Sequence, residues 1–172
     1  MGPTVLTACA ITILVATQAA VGADTLPWNI PEPLRPAVET PSFKAAFEIG
    51  TWLNPFYLRG DFDGDGSLDY AILVKRRSDG KKGIAVWLGG KTGPGLIVLG
   101  AGTKTRVGGS DTDDWDFFDS WQVYGKRTVL QGVGEGKPPK LIGEAILIER
   151  TESASGLIYW DGKKFRWYQQ GD

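Results

Sequence analysis

Short apolar runs rich in β-branched and aromatic residues recur along this chain from residue 56 onward, separated by glycine-rich joins. They are too short for a helical face and predict strands instead. The predicted strands cover 56–59, 69–75, 84–88, 96–99, 120–124, 128–131 and 145–149. Ser78-Asp-Gly-Lys81 is the turn of one hairpin among them. Two further runs, 157–160 and 163–168, flank Asp161-Gly162. A two-residue Asp-Gly connection favours a type I′ turn, so Trp160 is expected opposite Lys163 and Ile158 opposite Phe165. Ile158, Trp160, Phe165 and Trp167 then share one face, and Tyr159, Lys164, Arg166 and Tyr168 share the other. One face is expected in the core and the other in solvent, the habit of antiparallel sheets.

One helix is predicted. Thr40 can cap it, Pro41 suits its first position, and Phe43, Ala46, Phe47 and Gly50 give an apolar face and a glycine stop. Before it, residues 24–41 hold Pro27, Pro31, Pro33, Pro36 and Pro41 and read as an extended lead-in without helix or strand period. The expected fold class is mostly β: a single small domain of antiparallel strands over 42–172, with one short N-terminal helix.

The N-terminus changes the picture of where the chain goes. Residues 4–22 carry no charge, and Val21-Gly22-Ala23 offers small residues before Asp24. This pattern resembles a secretory signal peptide over 1–23, cleaved after Ala23. An uncleaved membrane anchor is the alternative reading. After cleavage no membrane segment is expected. The lone Cys9 falls inside the presumed signal, so the mature chain would have no disulfide. Small secreted animal domains are usually disulfide-stapled. A bacterial periplasmic or extracellular location is therefore expected.

The chemistry concentrates in Asp61-Phe-Asp-Gly-Asp-Gly-Ser-Leu-Asp69. Asp61, Asp63 and Asp65 alternate, so a curled loop can aim their carboxylates at one point. Gly66 permits the sharp turn, Ser67 can offer its backbone carbonyl, and Asp69 can close the site directly or through a water. Ca²⁺ takes about six to eight oxygens at roughly 2.3–2.6 Å, which this set suits better than it suits Mg²⁺ or zinc. The competing reading is an acidic surface turn that binds nothing, since Asp and Gly favour turns for local reasons. Of the two roles for a bound ion, a structural pin is favoured over a regulator.

The first nine positions of this loop resemble an EF-hand loop, but Ile72 stands where an EF-hand places its bidentate glutamate. A loop feeding the apolar strand Tyr70-Ala-Ile-Leu-Val74 resembles instead the calcium loops of FG-GAP and VCBS repeats, found in integrin-like propellers and bacterial exported proteins. The likeness covers 60–74 and extends loosely to 83–89. It implies a Ca²⁺ loop between two strands with Asp61, Asp63, Asp65, Ser67 and Asp69 as ligands. Only one copy is present, so a full propeller is not expected.

Other chemistry is sparse. Asp111, Asp113, Asp114, Asp116 and Asp119 form a second acidic cluster, read as either a further metal site or a solvated loop around Trp115 and Phe117. The chain has no histidine, which removes Ser-His-Asp, Cys-His and imidazole-zinc arrangements. Glu135, Glu144, Glu149 and Glu152 carry no local catalytic signature. No enzymatic activity is expected. The 19 basic and 20 acidic residues give no electrostatic case for nucleic acid. The expected function is an exported, non-catalytic calcium-binding module with a protein or glycan partner that the sequence does not specify. The alternative is a periplasmic glycan-binding or wall-hydrolase-inhibitor protein, drawing on some of the 7 tryptophans.

Overall fold

A computed structural model describes residues 1–2, 26–27, 29–90, 95–133 and 136–171. Residues 3–23 of the segment read as a signal peptide, and Trp28, lie outside the described residues. Among the described residues there are eleven strands: β1 (Phe47–Ile49), β2 (Tyr57–Gly60), β3 (Asp69–Arg76), β4 (Lys82–Trp87), β5 (Leu96–Gly100), β6 (Thr105–Val107), β7 (Ser110–Thr112), β8 (Ser120–Tyr124), β9 (Ala145–Glu149), β10 (Ser155–Trp160) and β11 (Phe165–Gly171). Two short helices, α1 (Arg35–Val38) and α2 (Pro41–Ala46), precede them.

The strands build two main antiparallel sheets and one small hairpin. The first sheet runs β1-β3-β4-β5, and β2 also pairs with β3. The second runs β11-β10-β9-β8, and β6 pairs with β7. β1 and β2 share one edge of β3: β1 takes Val74–Arg76 and β2 takes Asp69–Ile72. The fold is mostly β and antiparallel, as the strand pattern predicts.

Period-two alternation explains the layering. From the first sheet Ala71, Leu73, Ile84, Val86 and Leu99 point to one core, and from the second Ile146, Ile148, Ile158 and Phe165 meet them there. Trp121 of β8 spans this interface, donating its indole N–H to the Pro55 carbonyl at 2.7 Å. The alternate residues of the first sheet, Tyr70, Ile72, Val74 and Ala85, face a second core with Ile30, Leu34, Val38 and Phe43. Each buried Leu, Ile, Val or Phe among them contributes on the order of 1.5–3 kcal/mol. Helices of four and six residues would not persist in water, so this docking holds them.

Five expectations are corrected. The proline-rich 24–41 segment is not simply extended: it contains a 3₁₀ turn at Glu32–Leu34 and helix α1, and it contributes Ile30, Leu34 and Val38 to the core. Pro33, Pro36 and Pro41 sit in the first two positions of their helical turns, where they lose no hydrogen bond. The predicted helix begins as expected, with Phe43 N–H donating to Thr40 Oγ1 at 3.2 Å. It ends at Ala46, because Phe47 turns extended and β1 finds a partner in β3.

The C-terminal hairpin pairs Trp160 with Phe165 and Ile158 with Trp167, two residues away from the expected register. Asp161 causes the difference. Its Oδ1 accepts from both Lys163 and Lys164 N–H at 2.9 Å, which builds a longer connection. A shift of two preserves the faces, so Ile158, Trp160, Phe165 and Trp167 still share the core side. The opposite side is not solvated throughout: Leu157 and Tyr168 are buried there with Val129 and Leu141. Finally, 128–131 forms no strand, although Val129 is buried.

Candidate metal centre

The 61–69 loop joins β2 to β3 on the first sheet. Its backbone is wound by its own aspartates. Asp61 accepts from Gly64 N–H (2.8 Å) and Gly66 N–H (3.2 Å), Asp63 from Asp65 N–H (3.1 Å), and Asp65 from Ser67 N–H (2.7 Å). Gly64 and Gly66 both take positive φ, 79° and 85°, a region in which L side chains are strained. At Gly64 a side chain would also collide with the Ile142 carbonyl oxygen.

This winding brings Asp61, Asp63 and Asp65 together. One carboxylate oxygen from each lies within 4.8 Å of the others. Oxygens held at about 2.4 Å from one Ca²⁺ can be separated by up to about twice that distance, so the spacing suits a shared ion. No other group of three or more acidic, His or Cys side chains comes together in this way among the described residues. A carboxylate offers about four lone-pair positions, and each of the three spends only one or two on backbone N–H groups. The residues therefore fit a hard oxygen-seeking cation. Three charges in this space repel by between about 1 and 3 kcal/mol per pair, the exposure of Asp65 favouring the low end. Partial burial, followed by the charges of Asp65 and Asp61, raises the pKa of Asp63.

Asp69 is placed differently. It is fully buried, and its carboxylate serves the backbone: Oδ2 accepts from Phe62 N–H (2.7 Å) and Asp63 N–H (3.3 Å), and Oδ1 accepts from Gly89 N–H (2.7 Å). It is not part of the group formed by the other three. These bonds pin the loop against Gly89, two residues beyond the end of β4. Burial is the main cause that pushes the pKa of Asp69 up to about 6; the N–H bonds pull the other way. Ser67 lies in the loop with its N–H on Asp65, and its hydroxyl lies near Gly90.

Glu144 carries no signature in the sequence, yet it reaches the loop. Its Oε2 accepts from Asp61 N–H at 3.0 Å, and its own N–H donates to the Asp61 carbonyl at 2.6 Å. Gly143 fits tightly beneath, against the backbone of Asp61, Phe62 and Gly64. The start of β9 thereby braces the loop from the second sheet. Only the position of Glu144 directly before an apolar strand was visible in sequence, and that gives no hint of a contact 83 residues away.

The second acidic cluster does not converge. Asp113 pairs with Lys81 at 2.6 Å and Asp116 with Lys82, while Asp114 accepts from Lys82 N–H at 2.9 Å. Asp119 accepts from Thr151 N–H and Oγ1 at 2.9 Å, which lowers its pKa. The Lys81 hydrogen bond likewise holds Asp113 below the usual carboxylate range. The aspartates clamp the connection after β7 onto neighbouring strands, with Trp115 buried at its centre. Tryptophans 115 and 121 are buried, and 52, 87, 160 and 167 are half-buried. No helix among the described residues is long and apolar enough to cross a membrane. Comparison with protein-family models, curated proteins and solved structures finds no match to this chain.

Proposed function

We propose that this protein is an exported, non-catalytic module whose 61–69 loop holds one Ca²⁺ as a structural pin. The observation that carries this reading is the convergence of Asp61, Asp63 and Asp65 on a common focus. Remaining coordination would come from backbone oxygen, Ser67 being the candidate, and from water. The loop links two strands of the first sheet and leans on the second through Glu144, so an ion there would tie the sheets together. That is the service a disulfide gives in other exported domains, and the proposed mature chain has no cysteine. The proposed location, periplasmic or extracellular, supplies calcium to a site of modest affinity. It rests on the uncharged N-terminal stretch and its small-residue boundary at Ala23.

Thermal melts with chelator and with millimolar Ca²⁺ test the reading. Ligand at about 100 times its Kd stabilises the native state by about 2.7 kcal/mol, so the midpoint should rise by several degrees. The Asp61→Ala/Asp65→Ala variant should melt at one temperature under both conditions, and Mg²⁺ should give a smaller rise. A wild-type melt indifferent to calcium would sink the proposal. Mass spectrometry of the exported protein tests cleavage after Ala23.

A further inference from the structure

Among the described residues the ladders of both main sheets stop at one strand: β5 pairs only with β4, and β11 only with β10. A groove of ≈1050 Å³ lies between these two edges. Small-molecule pockets typically measure about 300–1,000 Å³, so the groove has room for a polymer segment. Its charge is one-sided. Lys104, Arg106, Lys163, Lys164 and Arg166 line it, and no Asp or Glu does. Arg106 and Arg166 each have one aspartate partner, at 3.8 and 2.6 Å. Lys104, Lys163 and Lys164 enter no ion pair among the described residues. For a chain of net charge −1, this is a marked local excess of positive charge.

The aromatic rings in the groove are already engaged. Trp160 stands edge-on to Phe165 with ring centres 5.0 Å apart, and Trp167 packs over Gly156 and against Phe117. Rings so occupied are poor platforms for stacking a sugar. Open strand edges beside a basic rim suit a different ligand, an extended acidic peptide. Main-chain hydrogen bonds supply its affinity and side-chain charge its specificity. β11 is flanked by β6 and by Gly132, which sits against Gln169 and Gln170. We propose that the groove binds an extended acidic segment of a partner protein, added as a strand to the β5 edge, with its carboxylates facing Lys104, Lys163 and Lys164. This does not rest on calcium binding, because the groove and the 61–69 loop share no residue.

The rival role for these lysines is to keep open edges from pairing with other copies of the chain. Titration of the full chain, in saturating calcium, separates the two. The probes are the blocked octapeptide (Glu-Val)₄, its (Lys-Val)₄ counterpart, (Glu-Val)₄ with alternate amides N-methylated, and polygalacturonate. Amide NMR shifts and calorimetry read the result. The acidic peptide should bind, shift the amides of 97–99, and weaken as salt is raised. N-methylation, and separately Lys104→Glu/Lys163→Glu/Lys164→Glu, should each weaken binding by about tenfold or more. The proposal is overturned if the acidic peptide does not bind, if the basic peptide binds equally well, if N-methylation has no effect, or if only polygalacturonate binds. A charge-reversed variant that merely self-associates, with no peptide binding by the wild type, assigns the lysines to edge protection and also overturns it.

Discussion

Asp61 and Glu144 exchange hydrogen bonds across the junction of the two sheets: Asp61 N–H donates to Glu144 Oε2 at 3.0 Å, and Glu144 N–H donates to the Asp61 carbonyl at 2.6 Å. One bond needs the Glu144 side chain and the other only its backbone. Glu144→Ala should therefore keep half of the link. A hydrogen bond to a charged acceptor contributes about 1.5–3 kcal/mol, and this one is only partly buried, so a loss of about 1–2 kcal/mol is expected. Calcium affinity should fall as well, because the first residue of the loop is less firmly held. Chemical denaturation and calorimetric titration of the variant measure the two effects separately.

Asp69 and Asp65 should respond to substitution in opposite ways. Asp69 is buried and accepts from three backbone N–H groups, whereas Asp65 is exposed. Asp69→Ala leaves three donors without their acceptor, at about 1–3 kcal/mol for each that water does not reach. Its loss of stability should be at least about 3 kcal/mol in the presence of chelator. Asp65→Ala in chelator should be close to neutral or slightly stabilising, since it removes a charge from a repelling group. Equal losses in the two variants would contradict the division between a pinning aspartate and a cation-facing one.

Gly156 of β10 lies under the Trp167 ring. A methyl group at that position would come within 2.0 Å of the indole. Gly156→Ala must displace Trp167 from the core between the sheets, and overpacking of this kind typically costs about 1–3 kcal/mol. Near-ultraviolet circular dichroism should change along with stability. A variant with the wild-type melt and spectrum would show that the ring moves freely.

The C-terminal turn should weaken in acid. Its Arg166 hydrogen bond holds the Asp161 carboxyl down at about 2, against an ordinary value of 3.8. A carboxyl whose pKa is lowered on folding stabilises the protein above its unfolded value, and that contribution is lost as pH falls from 3.8 through about 2. The group is exposed, so the effect is small. Asp161→Asn keeps an oxygen for the Lys163 and Lys164 N–H groups but loses the charge. Between pH 4 and pH 2 the wild type should lose more stability than this variant does; parallel acid melts would count against the ion pair.

Sequence and structure part company at particular residues. The strand from Asp69 was legible because Tyr70 to Val74 is an unbroken apolar run, and both faces of β3 are in fact buried. The helix at Pro41 was legible at its start, where capping is local, and misread at its end. Phe47 belongs to β1 only because Arg76 is there to pair with it. The hairpin faces were legible from alternation, while its register depended on how the Asp161 side chain folded back on its own turn. In the loop, the convergence of Asp61, Asp63 and Asp65 follows from local spacing. The recruitment of Asp69 by Gly89 N–H does not, because it depends on where β4 ends relative to β3.

By itself the sequence determined what arises between near neighbours: strand-forming alternation, the Thr40 cap, and a loop whose aspartates curl around a common point. These depend on backbone geometry and side-chain reach over a few residues. Tertiary structure alone decided that Glu144 braces the loop, that the Asp69 carboxylate binds distant backbone, that the proline-rich segment supplies core, and that β5 and β11 face each other across a basic groove. Each of these needs groups distant along the chain to arrive at the same place, and that is fixed by how the sheets bury their apolar faces against one another.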